Sequence, residues 1–122
     1  MPPNYSRRYR TNDTIQVNVI AEHIRTFEQL EASRRTEDQQ LREAIVKAAE
    51  TLQETPEAGK HIAGDRIPKE YIRRHGRGVS FWKYDILGSW RLIYTIGREE
   101  GMILVTLVEW MTHDEYERRF RY

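Results

Sequence analysis

Cysteine is absent from these 122 residues. That removes disulfides, thiolate metal sites and thiol nucleophiles, and it suits a reducing compartment. Long apolar runs are missing too: none approaches the roughly 20 residues that a membrane-spanning helix requires, so no membrane association is expected. The N-terminal MPPNYSRRYR is basic but has no apolar stretch, so it does not read as a secretory signal. The expected location is the cytoplasm. Internal repeats and low-complexity tracts are absent. His23, His61 and His75 show no metal-ligand spacing with one another, and neither a metal nor a cofactor is expected.

What is present describes a polar but globular chain. Hydrophobic residues make up 39% and charged residues 32%, which is too apolar for a disordered protein. The length fits one domain with one modest core. Residues 1–13 lack periodicity and are expected to be a flexible lead-in to a single domain over 14–122. The net charge of +1 decides nothing about nucleic acid, but its distribution is uneven. Between Arg66 and Arg91 stand Arg66, Lys69, Arg73, Arg74, Arg77, Lys83 and Arg91, against only Glu70 and Asp85. The stretch from Glu22 to Glu57 is rich in carboxylates. One basic surface on an otherwise neutral molecule is implied.

Periodicity orders the chain. TIQVNVI (14–20) alternates Ile15, Val17 and Val19 with polar residues, the pattern of a half-buried strand. A helix follows over about 21–33, with Ile24, Phe27 and Leu30 at helical spacing. A second begins at Thr36, where Thr36 and Gln39 form a capping-box pattern and Glu37 and Asp38 favour the first turn. Its apolar stripe is Leu41, Ile45, Ala48 and Leu52, and Pro56 ends it. Two helices joined by a few polar residues predict an antiparallel hairpin. Residues 57–78 form a long basic connector, within which PKEYIRR can make a helical turn starting at Pro68. Strands are predicted over 79–87, 90–97 and 102–110, with GREEG (97–101) as a turn. Thr112 can cap a short final helix with Glu115 at its third position.

FWKYDILGSWRLIYTI (81–96) is the most patterned stretch. Gly88-Ser89 suits a two-residue hairpin turn, since Gly at its first position accepts positive φ. That turn pairs Leu87 with Trp90 and Ile86 with Arg91. Val79, Phe81, Leu87, Trp90, Leu92, Tyr94 and Ile96 then form the core face, with Lys83 and Asp85 as polar exceptions. Trp82, Tyr84, Ile86, Arg91, Ile93 and Thr95 take the other face. An odd-length loop reverses this pairing of faces.

The element order β-α-α-β-β-β, with its short final helix, and the segment WRLIY (90–94) resemble the RelE/ParE superfamily of type II toxin–antitoxin toxins. Further points of likeness are the helical hairpin ending in Pro56 with AGK (58–60) downstream, and the apolar strand leading to THDEY (112–116). The resemblance covers about residues 14–116. It implies an α+β fold, a twisted and mostly antiparallel sheet packed on a helical hairpin, and a cognate antitoxin as partner. RelE-like members cut mRNA on the ribosome without a metal, whereas ParE-like members inhibit DNA gyrase. A relative that keeps the fold with weakened catalysis and binds RNA or a partner is a third reading, so fold alone does not choose.

Metal-free RNA cleavage needs a base for the 2′-hydroxyl, a cation for the phosphate and an acid for the 5′ oxygen. Arg91 matches the arginine of the RelE-like motif and can clamp a phosphate. His113 and Tyr116 fall where the superfamily places further catalytic groups. His113 is suited to proton transfer, and Glu109, four residues earlier, is expected to orient it or serve as the base. RelE-like endonucleases also carry lysines on the strand before the turn, on the arginine's face. With a two-residue turn that face shows Trp82 and Tyr84 instead, which offer stacking surfaces for bases. Lys69, Arg73, Arg74 and Arg77 supply phosphate or ribosome contacts. Plain structural readings stand beside these: an ion pair between Arg91 and Asp85, a capping or surface role for His113, packing for Tyr116, Trp82 and Tyr84, and a solvated surface for the basic connector.

Overall fold

The computed structural model describes residues 14–120; the lead-in expected over 1–13 lies outside them. Strand β1 (Thr14–Val19) leads into helices α1 (Ala21–Ala32) and α2 (Thr36–Glu54). The connector holds a two-residue strand β2 (Lys60–His61) and helix α3 (Lys69–His75). Strands β3 (Phe81–Ile86), β4 (Trp90–Glu99) and β5 (Met102–Thr112) come next, and α4 (His113–Arg119) ends the described chain. The fold is α+β. Its five strands form one sheet in the order β1-β5-β4-β3-β2, in which β1 runs parallel to β5 and every other pairing is antiparallel. Among the described residues no helix is long and apolar enough to cross a membrane.

Helical periodicity accounts for one side of the sheet. Leu41, Ile45, Ala48 and Leu52 of α2 are all buried, and they pack with Ile86, Leu92, Tyr94, Val105 and Leu107. The half-buried Ile15, Val17 and Val19 of β1 join them, as their alternation predicts. Helix α1 sits at the edge of this layer and buries no residue fully. Ile24, expected on its inner stripe, is 47% exposed. His23 and Phe27 instead lean on Trp110, with ring centroids 6.1 and 6.2 Å away.

Helix ends obey local hydrogen bonding. The predicted capping box at Thr36 does not form, because α2 starts at Thr36 itself with Arg35 as its cap residue. Ser33 serves instead: its Oγ donates to Asp38 Oδ2 (2.7 Å) and accepts from the Arg35 backbone N–H (3.1 Å). At α4 the Thr112 hydroxyl accepts from the Glu115 backbone N–H (3.3 Å), as its sequence position predicts. Pro56 stops α2 and lies buried in a 3₁₀ turn, Pro56–Ala58.

Two details of the strands correct the sequence reading and rearrange the faces. Ile86 pairs with Trp90, so the β3–β4 loop has three residues, Leu87, Gly88 and Ser89, not two. Gly88 has positive φ (72°) as expected, but Leu87 does as well (52°). The odd count turns β4 over relative to β3. Arg91 pairs with Asp85, and Ile93 with Lys83. Trp82 and Tyr84 therefore share the α2 side with Trp90, Leu92 and Tyr94, while Phe81, Lys83, Asp85, Arg91 and Ile93 share the opposite face. The second turn is also shorter than GREEG: Glu99 pairs with Met102, which leaves only Glu100 and Gly101 between the strands.

The second detail is a bulge. Ile93 pairs with Glu109 but Tyr94 pairs with Leu107, so Val108 is an extra residue on β5. A bulge kinks the strand and re-aims the side chains beyond it. Here it puts Val108 in the core of the second face and sets Glu109 beside Ile93 on that same face.

The second face has its own cover, which periodicity did not reveal. Tyr71 of α3 and Tyr116 and Phe120 from the α4 segment pack with Ile62, Ile67, Phe81, Ile93, Val108 and Met111. The Tyr116 and Phe120 rings stack at 4.6 Å, and Tyr71 meets Phe120 edge-on at 5.3 Å. The sheet is thus a middle layer between the α1–α2 hairpin and the smaller α3–α4 pair.

Candidate functional site

The three-residue loop and the β5 bulge bring charged side chains together on the second face. Cross-strand rows there read Lys83–Ile93–Glu109 and Asp85–Arg91–Met111. Residues in such rows touch neighbours across and diagonally, so Lys83 and Arg91 flank one carboxylate. Lys83 Nζ and Arg91 Nε each lie 3.1 Å from Asp85 Oδ1. Lys83 Nζ also stands 5.7 Å from the centre of the Tyr116 ring.

Arg91 is held on every side. Its side chain is 11% exposed. Nη1 donates to the carbonyls of Trp90 (3.1 Å) and Gly88 (3.3 Å), which ties the guanidinium to its own turn. Nη2 lies 2.7 Å from His113 Nδ1. Nε is buried and makes no hydrogen bond, because its contact with Asp85 is close in distance but poorly aligned. A buried N–H without a partner is costly, and the nearest carboxylate, Asp85, is half-exposed.

His113 opens α4, and its position is fixed by the backbone: its N–H donates to Ser89 O (2.7 Å) in the hairpin loop. A guanidinium has hydrogens but no acceptor, so His113 Nδ1 must accept from Arg91. Nε2 then carries the ring hydrogen and faces Glu117 Oε2 at 3.3 Å, one helical turn on. The result is a chain of contacts, Asp85–Arg91–His113–Glu117, that begins and ends in half-exposed carboxylates.

Glu109 belongs to a second cluster. Tyr71 donates its hydroxyl to Glu109 Oε1 (2.5 Å), and Arg119 donates to both Glu109 oxygens (3.3 Å each) and to Glu70 Oε1 (2.8 Å). Burial alone would raise the Glu109 carboxyl. The hydrogen bonds from Tyr71 and Arg119, with the Arg119 charge, outweigh it and hold the group below the ordinary carboxylate range. Burial pushes the Tyr71 hydroxyl well above its ordinary value, and the adjacent Glu109 adds to this. For Arg119, burial opposes the charge, but the hydrogen bonds to Glu109 prevail and strengthen its hold on the proton. These bonds tie α3 and α4 to β5. The carboxylate nearest the His113 ring is Glu117, not Glu109 as the four-residue spacing suggested.

The other expected site residues separate. Trp82 and Tyr84 lie on the α2 side of the sheet, across from Arg91. The Trp82 indole N–H donates to Ser80 Oγ (2.7 Å), and its ring stacks near Tyr94 at 6.2 Å. Tyr116 is a buried core ring. Lys69, Arg73, Arg74 and Arg77 are all exposed, on or just after α3, and Arg74 pairs with Glu22 across the surface (3.5 Å). A groove of about 580 Å³ runs between α2 and the end of β3 past Lys47, Thr51, Tyr84 and Leu87. It does not contain Arg91 or His113, and the convergence of charged groups marks the second face as the better chemical candidate.

Sequence reasoning found Arg91 and His113, and Asp85 as an ion-pair partner for Arg91, but set Lys83 aside and missed Glu117, Tyr71 and Arg119 as members of these clusters. Glu117 was readable as the carboxylate four residues after His113. Lys83 and Asp85 needed only the correct loop count. Tyr71 lies 38 residues from Glu109, and nothing local in the sequence connects them.

No protein-family model, no curated protein and no solved structure matches this chain.

Proposed function

We propose that the chain is a RelE/ParE-like toxin of a type II toxin–antitoxin system, acting on ribosome-associated mRNA as a metal-independent endoribonuclease and neutralised by a cognate antitoxin. The observation that carries this reading is the convergence of Lys83, Arg91 and His113 on one sheet face. A lysine on the arginine's face is what the resemblance to RelE-like endonucleases asks for, and Lys83 supplies it.

The chemistry rests on the groups present. The 2′-hydroxyl oxygen attacks the adjacent phosphorus as a base removes its proton. The bond from phosphorus to the 5′ oxygen breaks, and an acid protonates that oxygen. The products are a 2′,3′-cyclic phosphate and a 5′-hydroxyl end. Arg91 stabilises the extra charge on the phosphate oxygens. Lys83, charged and paired with Asp85, is the acid that protonates the 5′ oxygen. His113, neutral while its Nδ1 accepts from Arg91, is the base and takes the 2′-hydroxyl proton on Nδ1 when the Arg91 Nη2 turns to the phosphate. Tyr116 contributes the ring beneath Lys83, and Glu109 braces the wall that α3 and α4 form. The exposed Lys69, Arg73 and Arg77 provide a track for RNA phosphates.

Induction of the wild type should arrest growth and create new mRNA ends, mapped by primer extension. Arg91→Ala should reduce cleavage by about 10²- to 10³-fold, the usual effect of removing a group that stabilises transition-state charge. Transcripts that stay intact in arrested cells would remove the nuclease reading. A ParE-like, non-catalytic gyrase inhibitor is the alternative. It is favoured by the way the Arg91 Nη atoms and the Tyr116 ring are already engaged within the protein. A supercoiling assay with purified gyrase separates the two.

A further inference from the structure

Asp85 is the unexplained member of the cluster. A carboxylate between the lysine and the arginine does not help to bind a phosphate, since it carries the same charge. Its geometry nevertheless resembles that of a bound anion. One oxygen, Oδ1, lies 3.1 Å from both Lys83 Nζ and Arg91 Nε. Those two cations are 16% and 11% exposed, whereas Asp85 itself is 52% exposed. The two cations are mostly covered, and the anion is the solvent-accessible partner. The Nη atoms of Arg91 are engaged by Trp90 O, Gly88 O and His113 Nδ1. Nε is the one N–H of this guanidinium that is buried without a hydrogen bond.

We propose that Asp85 is an internal stand-in for phosphate, a carboxylate gate that fills an anion site made by Lys83 Nζ and Arg91 Nε and swings out to solvent when a phosphodiester enters. The inference rests on the proposed reading of this face as a phosphate-handling site and adds how that site is controlled. A phosphate oxygen, not tethered to the strand, can settle along the Nε–H direction and give Nε the aligned acceptor that Asp85 does not provide. The displaced carboxylate loses little, because it regains water. The gate lowers affinity for any single phosphate by direct competition. It thereby favours substrates that bring further contacts, such as a strand whose neighbouring phosphates reach the exposed bases of α3.

The test is binding rather than turnover. The probes are inorganic phosphate and a short single-stranded RNA with 2′-O-methyl groups, which cannot be cut, titrated by calorimetry into the full chain. Asp85→Asn keeps the side-chain shape and removes the charge, and it should tighten phosphate binding by about tenfold. Asp85→Ala should do the same, which guards against a folding artefact in either variant. The modified RNA should gain less than phosphate does, because its other contacts already help to open the gate. Glu50→Gln removes an exposed carboxylate from α2 and should leave both affinities unchanged. An equal gain in Glu50→Gln would reduce the effect to net charge and overturn the proposal. Unchanged or weaker binding in both Asp85 variants would also overturn it. Arg91→Ala separates the two levels. If it abolishes binding while the Asp85 variants do nothing, the phosphate site stands and the gate falls. If neither change affects binding, both fall.

Discussion

The two faces of the sheet are built by different rules. On the α1–α2 side the contacts are apolar or aromatic, and the strands and helix meet through residues at regular spacing. Leu41, Ile45, Ala48 and Leu52 recur on one helical stripe, and Leu92, Tyr94, Val105 and Leu107 alternate along β4 and β5. On the α3–α4 side an apolar core of Tyr71, Phe81, Ile93, Tyr116 and Phe120 lies directly against two charged clusters. The first face holds the fold by burial, which needs only the right sort of residue at the right period. The second depends on particular partners at particular distances. Charged groups set against a core have discrete neighbours, and this is the side that carries the candidate site.

The comparison breaks most sharply in the first core. Leu52 has no exposed surface, and Leu52→Ala should cost about 3 kcal/mol in urea unfolding through lost burial and the cavity left behind. That is a large part of a small domain's stability. Because the charged clusters lie across the sheet, the folded fraction should bind phosphate as the wild type does. A loss of phosphate binding in the folded fraction would show that the faces are not independent.

Gly59 joins the faces at the sheet edge. A Cβ there would meet Lys83 O at 2.3 Å and the Tyr94 hydroxyl at 2.7 Å. That hydroxyl accepts from the Gly59 N–H (3.1 Å) and donates to Pro56 O (2.8 Å). Gly59→Ala should therefore push β2 off β3 and cost about 2 kcal/mol. Faster amide exchange confined to residues 60–62 and 81–83 would locate the damage.

A smaller effect belongs to the second face and depends on pH. Glu109→Gln keeps an acceptor for Tyr71 but removes the charge paired with Arg119, and should cost about 1–2 kcal/mol near neutral pH. The native Glu109 carboxyl is held below its unfolded value of about 4.3. Its contribution is therefore full above that value and is lost as pH falls through the lower native one. The stabilities of wild type and Glu109→Gln should converge in acid. A gap that stays constant from pH 7 to pH 2 would mean that the Tyr71–Glu109–Arg119 cluster adds nothing through charge.

The same division explains what could be read in advance. The burial of α2, the alternation of β1, the stop at Pro56 and the Thr112 cap each depend on residues within one turn or one strand. The position of Arg91 depended on whether the loop holds two residues or three. Gly88-Ser89 looked like a complete turn because Gly88 meets the φ requirement, and nothing in the side chain of Leu87 announces a left-handed backbone. The bulge at Val108 is equally silent, since valine fits either strand geometry, yet it decides where Glu109 points. Side-chain patterns report which residues are buried; a single inserted residue decides which face they are buried on.

The smallest expected effect tests that inserted residue directly. Leu87 is 52% exposed and holds φ at 52°, a conformation that costs a β-carbon about 1–2 kcal/mol. Replacing it removes little packing, and glycine relieves the strain but adds freedom to the unfolded chain. Leu87→Gly should therefore raise stability by about 0.5–1 kcal/mol, seen as a rise of a few degrees in Tm. Leu87→Asn should gain slightly less, because asparagine tolerates the left-handed region without glycine's extra freedom but keeps its β-carbon. Leu87→Val should lose stability, since a branched β-carbon is the least tolerant of positive φ. The order Gly, Asn, Leu, Val is specific to a left-handed residue at this point. The reverse order would place residue 87 in an extended strand and return Lys83 to the face opposite Arg91. The candidate site would then come apart.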